Sequence, residues 1–275
     1  MGTKNTINTI DAKQTGIKCM QINLQHSKAA TANLMKIVTE DEIDIIFIPE
    51  PCTVQDKVIG IPTKYTTFTA GEGRSRAAIV VTNKEIDAML IRQLTDTDTV
   101  AVEVIKRNTR IIAASMYLDR ENQIENDLIK MELVLQYAKN IGVLIASDTN
   151  ARSSLWYDRV NNIRGRILEE FITTKQLYIL NEENSDTTFS NRLGTSNIDL
   201  TIINPQLLST ITGWEISGQE SLSDHRIIKY EIKPDSAGRL EVNPSPTRYR
   251  TNRESLEKFQ EAIIQTLKKK FKLKP

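Results

Sequence analysis

Apolar and polar positions follow two rhythms along this chain. "IKCMQI" (17–22) has the apolar density of a short strand, Leu34, Ile37 and Val38 fall on one helical face, and "IDIIFIP" (43–49) predicts a second buried strand. The opening is β-α-β. Four β-rich runs follow, "KYTTFTA", "RAAIVVT", "TVAVEVI" and "TRIIAASMYL", the last two joined across the hairpin-like "KRNT". Helical spacing returns at Ile124, Leu128, Met131 and Leu135, a strand at "GVLIAS", and another helix at Ile163, Ile167 and Phe171. "SNIDLTII" and "HRIIKYEI" read as strands. Hairpins interleaved with isolated helices predict a four-layer α/β sandwich, two mixed sheets packed face to face with helices outside, over one doubly wound parallel sheet.

The same pattern sets boundaries. Residues 1–16 are polar and aperiodic and read as a mobile segment. The domain spans 17–232, and the Pro- and Ser-rich "KPDSAGRLEVNPSPT" begins a linker within 233–275. Thr251 and Glu254 then fit a capping box, and Leu256, Phe259, Ile263 and Leu267 stripe a basic amphipathic C-terminal helix ending in "KKKFKLK".

Charge sharpens this division. The 275 residues carry a net +1, but residues 239–275 hold ten Lys or Arg against four Asp or Glu, leaving 26 against 31 in the rest. A mildly acidic body cannot be held on a polyanion by long-range attraction, so nucleic-acid binding there needs a local basic surface. Cys19 and Cys52 have neither zinc-site nor disulfide-framework spacing and read as reduced core thiols. No apolar run approaches the roughly 18 residues of a membrane helix, and the start lacks a signal peptide's apolar stretch, so a cytosolic or nuclear setting is expected.

Strand ends carry the candidate chemistry. Asn23 follows "MQI", Glu50 follows "IFIP", Tyr117 follows "AASM", Asp148 and Asn150 follow "LIAS", Asp199 sits in "NIDLTII", and Asp224 with His225 precedes "RIIKY". Singly each has a bland explanation as a turn or a solvated group; hydrophobic patterning does not demand the whole set. Covalent acyl chemistry lacks a Cys–His pair or a G-x-S-x-G elbow, and "GEGR" is too short for a phosphate loop. A Glu able to hold Mg2+, Asn and Asp groups for its waters, an Asp to activate water and a His to offset phosphorane charge fit phosphodiester hydrolysis.

"QINLQHSKAATANLM", "IIFIPEP", "ASMYLD", "ASDTNARSSLW", "NIDLTI" and "LSDHRII" occur in an order that resembles the exonuclease-endonuclease-phosphatase superfamily. Over about residues 17–232 the chain looks most like the apurinic-type endonuclease domain of LINE-type (non-LTR) retrotransposons. The resemblance implies that Glu50 binds the metal, with Asn23 and Asp224 on the metal side. It implies that Asp148 orients or deprotonates the attacking water, Asn150 holds that water or the phosphate, and Tyr117 contacts the phosphate or the departing oxygen. His225, oriented by Asp199, would stabilise the pentacovalent transition state, and Ser223 would support the phosphate side. The stretch "FSNRLGTSN" (189–197) reads as a hairpin tip that reaches DNA; with it, Thr188, Ser190, Asn191, Arg192 and Arg152 are expected DNA contacts, and Arg74, Arg76 and Arg159 are backbone candidates.

Histidine usage refines the choice. DNase-like and lipid-phosphatase-like branches place a further His near the position of Tyr117, whereas the two histidines here are His26 and His225. Thr149 departs from the more frequent Asp-Phe-Asn or Asp-Leu-Asn and needs a hydrogen bond if it faces the core; Trp156 is expected to fix its loop by burial. The resemblance implies an endonuclease dependent on Mg2+, with Mn2+ as the alternative ion, that leaves a 3′-hydroxyl able to prime reverse transcription. Its partners would be double-stranded DNA and a reverse transcriptase domain C-terminal in a parent polyprotein, with no membrane, acting in the nucleus after cytoplasmic synthesis. An abasic-site repair endonuclease and a catalytically decayed DNA-binding module are the rivals.

Overall fold

Alternation within single strands generates the layers. In β1 (Ile17–Gln21), Cys19 enters one apolar cluster and Met20 another. β2 (Ile45–Pro49) repeats this, with Ile45 and Phe47 on one side and Ile46 and Ile48 on the other, as a period of two requires. The structure is a computed structural model that describes residues 16–183 and 186–234. The expected N-terminal segment, most of the linker and the C-terminal helix (1–15 and 235–275) lie outside the described residues.

Between β1 and β2 runs α1 (Lys28–Asp41), started by the Ser27 side chain accepting the Ala30 N–H and ended by Glu42 in a left-handed conformation. Its buried Leu34, Ile37 and Val38 form the face expected from their spacing and cover the first sheet. The two-residue strands β3 (Thr53–Val54) and β4 (Lys57–Val58) make a small ribbon before β5 (Thr66–Phe68) and β6 (Ala77–Val81). The second sheet begins with β7 (Asp87–Leu90), β8 (Thr99–Lys106) and β9 (Thr109–Tyr117), passes through α2 (Ile124–Ala138) to β10 (Gly142–Asp148), and through α3 (Ile163–Thr174) to β11 (Tyr178–Ile179). A hairpin, β12 (Phe189–Asn191) and β13 (Gly194–Ser196), precedes β14 (Asp199–Ile203); β15 (Ile211–Ile216) and β16 (Ile228–Ile232) return to the first sheet.

The sheet orders are β15-β16-β1-β2-β6-β5 and β11-β14-β10-β9-β8-β7, each mixed. Phe47, Ile79, Val102, Ala113, Leu144 and Tyr230 fill the space between them, while Ile112, Ala114, Met116 and Ile145 turn outward under α2 and α3. The fold is the expected four-layer sandwich. Gln21 is the polar exception in its centre: fully buried, it donates to the Ser147 and Leu200 carbonyls and accepts from the Thr201 hydroxyl, which tie the sheets together.

Some expectations are corrected. "SNIDLTII" is two strands, since Ser196 closes β13 and β14 starts at Asp199; β16 starts at Ile228, three residues beyond His225. The buried face of α3 is Gly165, Leu168 and Ile172, and Ile163 is exposed. Ile167 and Phe171 pack half-buried against the same core, and at Gly165 a Cβ would lie 1.9 Å from the Arg152 carbonyl oxygen, so the helix presses this side against the loop after β10. Cys19 and Cys52 are buried free thiols.

Candidate active site

Strand direction collects the polar strand ends on one side. Parallel β9 and β10 end at Tyr117 and Asp148, which are register partners, and antiparallel β14 begins at Asp199, also opposite Asp148. The three residues form one row across the second sheet and project from the same face. In the first sheet, parallel β1 and β2 lead to Asn23 and Glu50, while antiparallel β16 is preceded by His225. A cavity of about 620 Å³ lies here, lined among others by Gln25, Glu50, Tyr117, Asp148, Asn150, Asp224 and His225.

His225 is held on every side. Its Nδ1 lies 2.8 and 3.1 Å from the two Asp199 oxygens, its Nε2 is 3.9 Å from Asp148 Oδ2, and the Phe189 ring meets it edge-on at 4.9 Å. Burial opposes a charged imidazole, but Asp199, then Asp148 and Glu50, outweigh it and push the pKa up to about 9. The ring is cationic at neutral pH. Burial, followed by repulsion from Asp199, pushes Asp148 up to about 7 against the pull of His225, Asn23 and the Asn150 N–H.

Glu50 and Asp148 are joined through one amide. Asn23 Nδ2 donates to Glu50 Oε2 at 2.9 Å and to Asp148 Oδ2 at 2.8 Å, while Asn23 Oδ1 accepts the Gln25 N–H at 2.8 Å. That N–H can only donate, which fixes the amide orientation. Asn23 thereby turns donors toward the carboxylates and orients them. Glu50 and Asn150 have φ of 45° and 47°, left-handed conformations that cost non-glycine residues about 1–3 kcal/mol each and mark a site under constraint.

Two groups of side chains could hold a cation. Asp148, Asp199 and His225 offer ligand atoms within 4.8 Å of one another, but a protonated imidazole has no lone pair to give. Glu50 fits a hard ion better. Its Oε2 accepts from Asn23 Nδ2 and His26 Nε2 lies 3.4 Å from Oε1, which leaves lone pairs toward a cavity also lined by oxygen-bearing Gln25, Asp148, Asn150 and Asp224.

Tyr117 lines the same cavity. Burial first, then Glu50 and Asp148, hold its phenol far above the ordinary range despite Arg76, so the hydroxyl is a donor. Asn150 is anchored through Nδ2 to the Leu118 carbonyl at 3.1 Å. Thr149 is fully buried and donates to the Ile198 carbonyl at 2.8 Å, meeting its expected need, and Trp156 is fully buried.

The expected DNA contacts separate into two groups. Asn191 lines the cavity and Arg192 is exposed at the hairpin turn beside Leu193, which is 96% exposed. Arg152 also lines it, paired with buried Asp158 at 2.8 Å and donating to the Thr195 carbonyl. Thr188 is a correction: it is fully buried, and its hydroxyl accepts the Ile198 and Asp199 N–H groups at 3.1 Å, so it holds Asp199 from behind. Ser190 is held by its N–H on the Asp224 carbonyl, and Ser223 donates to the Asn23 carbonyl at 2.9 Å while accepting the His225 N–H, which fixes the His225 loop. Arg76 is engaged by Asp98 and Asp119.

Other lining residues were not singled out by the sequence, Gln25, Arg120 and Phe189 among them. Gln25 accepts the Asp224 N–H at 3.0 Å, Arg120 stands exposed at the mouth, and Phe189 packs on His225. Only "FSN" in the hairpin offered a signal for Phe189.

Comparison with known proteins agrees with this geometry. A family model described as endonuclease-reverse transcriptase matches residues 111–229. The chain is 29% identical over 238 residues to a 115 kDa protein of the type-1 retrotransposable element R1DM of Drosophila melanogaster, covering 83% of the chain and 23% of that protein. It is 27% identical over 204 residues to a retrovirus-related Pol polyprotein of the type-1 element R1 of Bradysia coprophila, covering 70% and 20%. The chain thus spans about a fifth to a quarter of the length of these relatives. The endonuclease domain of TRAS1, a telomere-specific non-LTR retrotransposon, superposes with a TM-score of 0.71 at 26% identity, over 78% of this chain and 98% of that one.

Proposed function

We propose, from the premise that this chain belongs to the exonuclease-endonuclease-phosphatase superfamily as an endonuclease domain of the non-LTR retrotransposon type, that it nicks one strand of double-stranded DNA with Mg2+. The observation that carries this reading is the junction of Glu50, Asn23, Asp148 and His225 around one cavity.

On this reading Glu50 and Asp224 hold the ion, and Asn23 keeps Glu50 and Asp148 in place. Bound Mg2+ supplies charge neutralisation at the phosphate oxygens. Asp148, with a pKa near the working pH, takes the proton of the attacking water, and Asn150 orients that water or a phosphate oxygen. The His225 imidazolium faces the charge that grows on the phosphorus-bound oxygens, a contribution worth about 2.7–4 kcal/mol. Asp199 keeps the ring charged and aimed. Tyr117 donates to the phosphate or the departing 3′ oxygen as the P–O bond to it breaks, which leaves 3′-hydroxyl and 5′-phosphate ends. Asn191, Arg192 and Arg152 meet the DNA beside the cut. The 3′-hydroxyl would serve a reverse transcriptase in the same parent polyprotein as primer, at chromosomal DNA in the nucleus.

Supercoiled plasmid with Mg2+, with Mn2+ and with EDTA tests the reading. Nicked circles that a DNA polymerase extends directly, and that vanish with EDTA, are expected. Cleavage confined to abasic duplexes would instead favour a repair enzyme, and DNA affinity without nicking in either ion a binding module.

A further inference from the structure

Arg76 is bound too elaborately for a surface arginine. It directly precedes β6, and its side chain turns inward: Nε and Nη2 take the two Asp98 oxygens at 2.6 and 2.9 Å, and Nη1 pairs with Asp119. The guanidinium carbon then lies 5.2 Å from the centroid of the Tyr117 ring. Backbone bonds converge on the same spot. The Glu50 N–H donates to the Arg76 carbonyl at 2.8 Å, and the Tyr117 N–H to the Asp98 carbonyl at 2.9 Å. Arg76 is therefore fastened both to the turn that presents Glu50 and to the residue that anchors Tyr117.

Two carboxylates already satisfy the charge of the guanidinium, so the ring contact is not needed for its neutralisation. Its chemical effect falls on the phenol: a cation over an aromatic face fixes the ring by electrostatic attraction, and the carboxylates fix the cation in turn. We propose that Arg76 is a positioning residue, clamped by Asp98 and Asp119 so that its guanidinium covers one face of the Tyr117 ring and aims the hydroxyl at the scissile phosphate. This rests on the nuclease reading of the same cavity. The planar fork is essential to it, because a lysine ammonium cannot reproduce the paired bonds to both Asp98 oxygens and the bond to Asp119 while sitting over the ring.

A double-mutant cycle separates positioning from general support. Arg76→Met lowers kcat about tenfold with KM within about twofold, and the same change in a Tyr117→Phe background alters kcat less than about threefold, because the two act as a unit. Asp119→Asn, which loosens the clamp and keeps the Asp98 fork, gives a smaller loss that also disappears with Tyr117→Phe. Equal losses in both backgrounds would overturn the proposal. In metal-free protein labelled with 13C at the tyrosine ε carbons, the Tyr117 resonance, identified by its loss in Tyr117→Phe, shifts in Arg76→Met and Asp119→Asn while the other tyrosine resonances stay. A Tyr117 resonance that stays in place likewise overturns it. If the wild type does not nick, the nuclease reading fails by itself, and the resonance still decides the Arg76–Tyr117 coupling.

Discussion

At the end of the sheets away from the cavity, Asp44 and Lys106 are buried as one acid against one base; at the cavity end, Asp148 and Asp199 face a single imidazole. Asp44 directly precedes β2, whose other end leads to Glu50, and Lys106 ends β8 at the turn into β9, whose other end is Tyr117. The remote pair is fully matched. Asp44 accepts the Lys18 N–H and the Asn83 amide as well as Lys106, and Lys106 also donates to the Gly16 carbonyl. The cavity end instead has surplus negative charge and raised pKa values. Buried charge is therefore no mark of function. Unbalanced buried charge, with the raised pKa values it brings, is.

The contrast can be tested from its strongest consequence down. Lys106→Met should cost about 3–5 kcal/mol in urea unfolding by leaving Asp44 without its cation, while the folded fraction nicks plasmid at the wild-type rate. A matching loss of rate would tie the remote pair to catalysis. Asp148→Ala should do the reverse, with nicking falling about 100- to 1,000-fold and the unfolding midpoint close to wild type. His225→Ala should lose nicking to the same extent and stability as well, because Asp199 is left buried without its cation. Near-normal rates in either variant would remove it from the mechanism.

The third consequence is pH dependence. The folded-state pKa of His225, about 9, lies above its ordinary value of about 6.5, so its contribution to stability is complete below that value and is lost as pH rises through about 9. Asp148 is likewise raised, to about 7 from an ordinary value near 3.9, so its protonation favours the fold at low pH and this support is lost on the way to 7. In EDTA, the unfolding free energy of the wild type should fall between pH 6.5 and 9 more steeply than that of His225→Gln. Parallel curves would contradict the charged imidazole. Nicking should rise with ionisation of Asp148 and decline as His225 loses its proton. Thr149→Val is the smallest: about 0.5–1.5 kcal/mol of stability from the lost bond to the Ile198 carbonyl, with rates little changed.

How far the sequence revealed this molecule depended on the range of the interactions. Glu50, Asp148 and His225 were visible because each breaks an apolar run where a strand ends, and strand direction then brings them together. Arg76 was not, because its partners lie 22 and 43 positions away, and Gln25 was not, because Asp224 lies 199 positions away. Apolar spacing identified α3 and its packed Ile167 and Phe171 but included exposed Ile163, and it gave no sign of the close backbone contact at Gly165. Thr188 was recognised as important and placed at the wrong partner: a hydroxyl beside a hairpin reads as a surface donor, and only the fold shows it accepting from the backbone beneath Asp199.

The row of Tyr117, Asp148 and Asp199 across three adjacent strands has a consequence for refolding. Slippage by one position between any two of these strands would send one member to the opposite surface of its sheet. Chains with such mispairing would keep much of their strand content and lose catalysis altogether. Specific activity after dilution from denaturant should therefore count correctly registered molecules more faithfully than circular dichroism does.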